Sequence, residues 1–347
     1  MSAALAFRLP AGLEAAEPPE ARGLARDEVR LMVARGGNGE IAHARFRDLP
    51  DFLEPGDVLV INTSATLPAA VPARRADGTA LELRFATAAP RLPGTRWWVV
   101  ELRSSDGASP FRGGRAGERL TLAGGGRLEI AAPYAGGARL WLARLESMQP
   151  LHELLARHGR PIRYGYVPAR WPLDAYQTVW ALAPGSAEMP SAGRPFTPEL
   201  VTRLVAGGVY FAPLVLHTGV SSPERDEPPF PERYRVPAAS ARLVNAVRRS
   251  GGRVIAVGTT VVRALESVAA ADGTVEPGAG WTNLVITPER PPRALDGLIT
   301  GWHEPQASHF QMLEALAGER LLAASYRAAL AHGYLWHELG DSHLILP

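Results

Sequence analysis

Two chemically important residue types are missing from this chain of 347 residues. It contains no cysteine, which excludes disulfides, thiolate nucleophiles and cysteine-based metal sites, and which is typical of a cytoplasmic protein. It contains no lysine either, so all 37 basic residues are arginine. The absence of lysine excludes Schiff-base chemistry, including pyridoxal phosphate enzymes, and a Walker-type lysine.

Long apolar runs and a strong net charge are missing as well. The longest stretch without a charged residue, 204–223, is broken by glycines and a proline, so it predicts a helix end and a strand instead of a membrane span. The first twenty residues have no unbroken apolar core, so we expect no signal peptide there. A formal net charge of +2 allows a local basic patch but does not by itself indicate a nucleic-acid-binding protein.

The most informative stretch that is present covers residues 253–267. Its charge-free, β-branched run Val254–Val257 predicts a buried strand, and Gly258 permits a sharp turn because it has no Cβ. We expect Thr259 or Thr260 to cap the following helix. Such a turn directs backbone N–H groups at the edge where open α/β sheets bind ligands. The pattern also fits an ordinary strand-to-helix turn, and it lacks the spacing of dinucleotide and P-loop motifs.

The flanking segments predict a mixed-sheet α/β main domain. Apolar runs that end at small polar residues indicate strands, and helix-type spacing between capping residues and glycines indicates helices. The predicted elements are a β-hairpin at 28–46, strands at 58–61, 209–216, 295–300 and 334–346, and helices at 197–206, 238–249, 308–317 and 319–332.

The segment 69–145 has a different character, because helical periodicity is missing and glycine and proline clusters separate short strand-like runs. These runs lie at 81–85, 97–102, 119–122, 127–130 and 138–145. Such a pattern predicts a small antiparallel β-barrel inserted into the main domain. We therefore expect an α/β main domain made of residues 1–68 and 146–347, which carries the active site, and a barrel domain made of residues 69–145.

Four predicted strands end in small polar clusters: Asn62-Thr-Ser64, His217-Thr-Gly219, Gly258-Thr-Thr260 and Gly301-Trp-His303. If these strands share one sheet, the clusters converge on one rim. Hydroxyls and neutral imidazoles there suit a polar, neutral-to-cationic ligand such as a nucleoside. His217 fits a structural role as well as a functional one. We expect no metal site, because neither His303 with His309 nor His332 with His337 has the spacing of two ligands on one helix face.

These motifs resemble those of one known family. Gly258-Thr-Thr-Val-Val-Arg-Ala-Leu-Glu-Ser267 is similar to the GTTSVRxLES segment of the S-adenosylmethionine:tRNA ribosyltransferase-isomerases of queuosine biosynthesis. Further matches follow in the family's order: Arg26-Asp27 with Ile41-Ala-His43, Pro55-Gly-Asp57 through Asn62, Tyr176-Gln-Thr178, Gly185-Ser186 with Pro190-Ser-Ala-Gly193, Leu216-His-Thr-Gly219, Thr300-Gly-Trp-His303 and Gly340-Asp341. The resemblance covers residues 24–346 and implies an α/β domain interrupted by a β-barrel.

The resemblance implies an enzyme that transfers the ribosyl part of S-adenosylmethionine to 7-aminomethyl-7-deazaguanine in a tRNA anticodon loop. Adenine and methionine leave, and the ribose rearranges to give epoxyqueuosine, with S-adenosylmethionine as substrate and no metal. On this basis the expected catalytic residues are His217, His303 and Glu266. The expected substrate-binding residues are Asn62, Tyr176, Gln177, Thr178, Ser191, Gly193, Gly219, Gly258, Thr259, Thr260 and Arg263.

Several positions within the matching motifs differ from the family in charge. Ala65 replaces an arginine, Arg194-Pro195 replaces a leucine and a histidine, and the acidic stretch 224–227 follows the His217 motif. These differences leave two alternatives open: an S-adenosylmethionine enzyme that acts on a small molecule or splits the donor itself, and a non-catalytic nucleoside- or RNA-binding homologue. If the acidic stretch lies beside the site, it would repel phosphates, and weak tRNA binding with retained S-adenosylmethionine binding is then expected.

Overall fold

The computed structural model describes residues 7–90, 92, 94, 96–135, 139–220, 230–304 and 308–347. Within them the chain forms a nine-stranded mixed sheet, a closed six-stranded antiparallel barrel and a two-stranded ribbon. The predicted α/β fold with an inserted barrel is confirmed. None of the helices in these residues combines the length and apolar character that crossing a membrane requires. The acidic stretch 224–227 lies outside the described residues, so its expected place beside the site stays a prediction.

The elements follow one another in chain order. The strands are β1 (Arg30–Arg35), β2 (Ile41–Arg45), β3 (Val58–Asn62), β4 (Ser64–Thr66), β5 (Ala70–Arg74), β6 (Ala80–Ala88), β7 (Trp97–Ser104), β8 (Arg119–Leu122), β9 (Arg127–Pro133), β10 (Leu140–Glu146), β11 (Ala183–Ser186), β12 (Tyr210–Leu216), β13 (Glu232–Val236), β14 (Val254–Val257), β15 (Gly278–Thr282), β16 (Gly297–Gly301) and β17 (Ser342–Leu346). The helices are α1 (Leu151–His158), α2 (Pro198–Ala206), α3 (Ala238–Arg249), α4 (Thr259–Glu266) and α5 (Ser308–Ala331). Gly318 has a non-helical φ of 72° and ψ of 155°, so it divides α5 into two helices, as the sequence predicts.

The large sheet has the order β15-β13-β12-β3-β14-β16-β17-β1-β2. Its centre, β12-β3-β14-β16, is parallel throughout, so the carboxyl ends of these four strands meet at one edge. Every residue of β3 and β14 is buried, because α3 and α4 pack on one face of the sheet and α2 packs on the other. The prediction that the four polar clusters share one rim is therefore confirmed.

The barrel closes in the order β10-β7-β6-β5-β8-β9. Its strand β5 was not expected from the sequence because it contains Pro72, whose missing N–H weakens a strand pattern. Leu151, Leu154 and Leu155 of α1 pack into the barrel core. The expected boundary after Leu145 therefore separates this helix from the core that buries it.

The chain enters and leaves the barrel unit at one place. The backbone N–H of Ala70 donates to the carbonyl of Arg160 at 3.0 Å, and the N–H of Arg160 donates back to Ala70 at 2.8 Å. The inserted unit, from β5 to the end of α1, thus has its two ends side by side. Small apolar residues, including Ala86 of β6 and Ala187 beside β11, fill the contact between this unit and the rest of the chain.

Three local predictions concern the helix starts and the last strand. The expected threonine cap of α4 is wrong, because the helix already begins at Thr259 and Gly258 precedes it without a side-chain cap. The cap by Thr197 on α2 is confirmed, since its hydroxyl accepts from the N–H of Leu200 at 3.1 Å. The final strand covers only Ser342–Leu346, because Asp341 accepts from the N–H of Leu335 and bends the preceding residues into a turn.

Candidate active site

A cavity of about 510 Å³ lies at the carboxyl edge of the parallel strands. The main domain supplies the turns that follow β12, β14 and β16, and the barrel supplies Thr87, Val99 and Leu140 from the opposite side. A cavity of this size and mixed lining is typical of a small-molecule site. The site is therefore shared between the sheet and the inserted barrel.

The turn between β14 and α4 forms one side of the cavity. Gly258 has a φ of 99°, in the left-handed region where a Cβ is strained, and its N–H donates to the carbonyl of Ile299 at 2.8 Å. Thr259 and Thr260 line the cavity directly after it. The first turn of a helix has N–H groups without helical acceptors, so this side of the cavity offers donors to an anionic or polar group.

A buried ion pair forms the neighbouring wall. The guanidinium of Arg263 on α4 donates to the carboxylate of Glu232 on β13, and also to the carbonyls of Thr282 and Leu284, each at 3.1 Å. Glu232 accepts in addition from the N–H of Gly219 at 2.9 Å. The donors of Arg263 are thus bonded to the protein itself, and the pair fixes β13 and the turn after β12 against α4.

Two histidines stack within the cavity. The ring centroids of His303 and His309 lie 4.9 Å apart at an interplanar angle of 24°. Burial lowers the pKa of His309 to about 4, with the charge of Arg263 adding to the effect, and burial lowers the pKa of His303 well below its usual value. The Nε2 atom of His303 lies 3.1 Å from the hydroxyl of Thr300. Both imidazoles are neutral at pH 7 and can accept a proton from a bound substrate.

The remaining wall consists of tyrosines and carboxylates that sequence reasoning missed. Tyr164 donates to Glu188, and Tyr166 donates to Glu338. All four residues line the cavity together with His337. The residues come from three separate loops, and no spacing within the sequence indicates that they meet.

Comparisons with known proteins identify the family of this chain. A family model described as "Queuosine biosynthesis protein" matches residues 2–345. The chain belongs to this family. It is 38% identical over 351 residues to the S-adenosylmethionine:tRNA ribosyltransferase-isomerase of Symbiobacterium thermophilum, covering 98% of both chains. It is 38% identical over 337 residues to the protein of the same name from Thermus thermophilus, covering 92% of this chain and 93% of the relative.

A solved structure agrees with these relatives. The crystal structure of an S-adenosylmethionine tRNA ribosyltransferase from Thermotoga maritima is 29% identical to this chain, with a TM-score of 0.55. The match covers 99% of this chain and 100% of that one. The family resemblance read from the motifs is confirmed over the whole length.

The structure brings eight of the predicted site residues to the cavity. They are Tyr176, Ser191, Gly219, Gly258, Thr259, Thr260, Arg263 and His303. The hydroxyl of Tyr176 is buried and has no hydrogen-bond partner within the described residues, and burial raises its pKa to about 12. A buried donor without a protein partner, on a side chain that lines a cavity, is a natural contact for a bound substrate.

His217 lies behind the cavity lining. Its Nδ1 atom is 2.8 Å from the hydroxyl of Ser64, which in turn lies 2.6 Å from the hydroxyl of Ser186. Burial and the nearby charge of Arg233 lower the pKa of His217, so the ring is neutral at pH 7. The hydroxyl of Ser186 also accepts from the N–H of Thr218, a cavity residue, at 3.0 Å. These contacts hold the ring of His217 beside the turn after β12, and its expected catalytic role stays a prediction.

Asn62 and Gln177 also act behind the lining. The amide of Asn62 donates to the carbonyl of Leu216 at 2.8 Å and accepts from the N–H of the same residue at 3.0 Å, which ties β3 to β12. Gln177 makes the same two-way contact with the backbone of Thr66, with both distances 2.9 Å. Thr178 and Gly193 pack against each other outside the cavity, since a Cβ on Gly193 would lie 3.2 Å from Thr178.

The structure does not bring Glu266 to the cavity. Its carboxylate accepts from the backbone N–H groups of Arg293 and Ala294, each at 2.8 Å. Arg263 and Glu266 are three residues apart in α4, which is the spacing of neighbouring side chains on one helix face. Arg263 nevertheless binds Glu232 and backbone carbonyls near β15, whereas Glu266 binds the backbone that leads into β16.

The family positions with changed charge are accommodated within the fold. Arg194 is 3% exposed and forms a salt bridge of 2.8 Å with Glu20, and its Nε donates to the carbonyl of Ala175. Ala65 is a buried residue of β4. Neither position adds a free charge to the cavity lining.

Proposed function

We propose that this chain is an S-adenosylmethionine:tRNA ribosyltransferase-isomerase. It transfers the ribosyl moiety of S-adenosylmethionine to 7-aminomethyl-7-deazaguanine in tRNA, releases adenine and methionine, and gives epoxyqueuosine in the cytoplasm. The observation that carries the proposal is the likeness to relatives of this name over 98% of the chain, joined to a cavity at the predicted rim.

The donor side of the proposal rests on the cavity chemistry. The helix start after Gly258 suits a carboxylate, and the hydroxyls of Thr259 and Thr260 suit ribose oxygens. The reaction requires a proton to leave the attacking amine and a proton to reach the departing adenine. The neutral rings of His303 and His309 are placed to move such protons. The cationic sulfonium makes methionine a good leaving group, so the step requires no metal.

The acceptor side is supported by an exposed face on the edge hairpin of the sheet. Arg233 and Arg235 of β13 and Trp281 of β15 are exposed, and Arg233 pairs across the strands with Trp281. Neither guanidinium forms a salt bridge within the described part of the chain. Arginines bind phosphates and an exposed aromatic ring stacks on unpaired bases, so this face suits a single-stranded RNA loop. It favours the tRNA acceptor over a small molecule.

The test is incubation with S-adenosylmethionine and tRNA that carries 7-aminomethyl-7-deazaguanine. Adenine release and the mass of the RNA are followed together, and the same tRNA with guanine at that position is the control. We expect adenine release and a mass increase only with the aminomethyl base. Adenine release without RNA would support a changed acceptor, and no turnover with either RNA would support a non-catalytic homologue.

A further inference from the structure

Among the described residues, the lining of the cavity contains more acidic than basic side chains. Four glutamates line it, namely Glu188, Glu232, Glu304 and Glu338. Among the described residues the one arginine in the lining is Arg263, and its charge is matched by Glu232. The lining histidines have lowered pKa values and are neutral at pH 7. Glu338 forms no salt bridge within the described residues, so its carboxylate attracts a cation when it is ionised.

The same wall presents a stack of aromatic rings. The ring centroids of Tyr164 and Tyr166 lie 5.9 Å apart at 18°, and those of Tyr166 and His337 lie 4.3 Å apart at 17°. Tyr166 also donates its hydroxyl to Glu338. The stack fixes the ring of Tyr166 and so holds its hydroxyl at Glu338, and the carboxylate of Glu338 is the group that attracts a sulfonium, ammonium or other cation. We call Tyr164, Tyr166 and His337 the aromatic ladder.

We infer that Glu338 and the aromatic ladder form the subsite for the positively charged group of the substrate. This inference rests on the proposed function, which supplies two such groups. One is the sulfonium of the donor, and the other is the protonated amine of the acceptor base. Both groups are cations before the reaction. The sulfonium loses its charge when methionine leaves, and the ammonium group loses a proton before the amine attacks. Binding either group beside Glu338 therefore also positions it for reaction.

The protonation of Glu338 gives the subsite a measurable signature. Burial and, to a smaller extent, the charge of Glu188 raise the pKa of this carboxyl, the hydrogen bond from Tyr166 opposes them, and the resulting pKa is about 7. Glu304 and Glu14 flank the neighbouring His337. A bound cation favours the ionised carboxylate, so cation affinity should rise as the pH passes upward through about 7. Below that pH, binding should release a proton.

The donor arm of the test compares S-adenosylmethionine with S-adenosylhomocysteine, its neutral thioether counterpart, by calorimetry at pH 8. We expect the wild type to bind the sulfonium compound more tightly than the thioether. In Glu338→Gln the ratio of the two affinities should be about tenfold smaller. Glu199→Gln is the matched control. It removes an exposed carboxylate of α2 that does not line the cavity, so it should leave the preference unchanged.

The acceptor arm compares RNA that carries the aminomethyl base with the same RNA that carries guanine. A loss of about tenfold in this preference with Glu338→Gln, with the donor preference intact, assigns the subsite to the amine. If Glu338→Gln changes neither preference, the inference is overturned. A wild type that binds no S-adenosylmethionine would contradict the proposed function instead, and the two failures are therefore distinguishable.

A second variant covers the case in which Glu338→Gln does not fold. Tyr166→Phe keeps the ring of the aromatic ladder but removes the hydrogen bond to Glu338. Because that bond lowers the pKa of the carboxyl, its loss should move the midpoint of pH-dependent cation binding to a higher pH. A purely structural role for the tyrosine would weaken binding at every pH. An unmoved midpoint would argue against the subsite.

Discussion

At the residue scale, the local conformation of the site could be read from the sequence, but its hydrogen-bond partners could not. Gly258 was predicted because a sharp turn after a buried strand requires a residue that tolerates positive φ, and its φ is 99°. The partner of Arg263 could not be predicted, because Glu232 lies 31 residues away and reaches it only through the pairing of β13 with β12. Glu188 and Glu338 were missed for the same reason.

The Arg263–Glu232 pair yields a prediction about stability. Both side chains are almost inaccessible to solvent, so Arg263→Met leaves the carboxylate of Glu232 buried without its cation. We expect the free energy of unfolding to fall by about 3–5 kcal/mol, the usual effect of breaking a buried pair on one side. Denaturant unfolding of the variant measures this change.

The double variant Arg263→Met/Glu232→Gln is the control for that prediction. It removes both charges at once, so it should recover part of the lost stability, because no unpaired buried charge remains. A single variant as stable as the wild type would show that Glu232 finds another partner or is solvated.

At the scale of the elements, the predictable strands were those that burial on both faces makes apolar throughout. Val58–Asn62 and Val254–Val257 are such strands, and the sequence placed both nearly to the residue. The ribbon of Ser64–Thr66 with Ala183–Ser186 was not predicted, because three or four small residues carry no period that distinguishes a strand from a loop. Tertiary pairing alone defines it.

The exposed face of the β13–β15 hairpin yields a prediction about the acceptor. Trp281→Ala should weaken tRNA binding by about 1–3 kcal/mol, the usual contribution of a base stacked on an aromatic ring. Arg233→Ala with Arg235→Ala should weaken it further and make its salt dependence shallower, because fewer phosphates are neutralised. Binding measurements at several salt concentrations test both.

Two comparisons make that experiment specific. S-adenosylmethionine affinity should stay unchanged in these variants, since their side chains do not line the cavity. Arg119→Ala, which removes an exposed arginine of the barrel, should leave tRNA binding unchanged. If the hairpin variants bind tRNA as tightly as the wild type, the RNA lies on another face. If the wild type itself binds tRNA weakly, the result would support the expectation that the acidic stretch 224–227 repels phosphates.

At the scale of the whole molecule, the sequence located the inserted barrel but not its full extent. The change to strand-like patterns predicts its start at residue 69, and the return of helical spacing predicts its end at Leu145. The amphipathic pattern of α1 fits packing on either core, and only the structure shows that Leu151, Leu154 and Leu155 face the barrel. We therefore expect that the segment that can be deleted without unfolding the main domain ends near His158 instead of Leu145.

Deletion of the inserted unit tests this boundary and the shared cavity together. Because Ala70 and Arg160 are hydrogen-bonded neighbours, a short Gly/Ser linker can join Ala69 to Gly159 in place of residues 70–158. We expect this variant to stay soluble and to melt cooperatively, since the main sheet takes no strand from the barrel. It should lose S-adenosylmethionine binding, because Thr87, Val99 and Leu140 form one wall of the cavity.

The shorter deletion of residues 69–145 is the matched comparison for that experiment. It leaves α1 in place with its three leucines exposed to water, and burial of one such side chain stabilises a fold by about 1.5–3 kcal/mol. We therefore expect this variant to aggregate or to melt at a lower temperature than the longer deletion. The reverse order of stability would assign α1 to the main domain. If the longer deletion variant still binds S-adenosylmethionine, the donor lies wholly on the sheet side of the cavity.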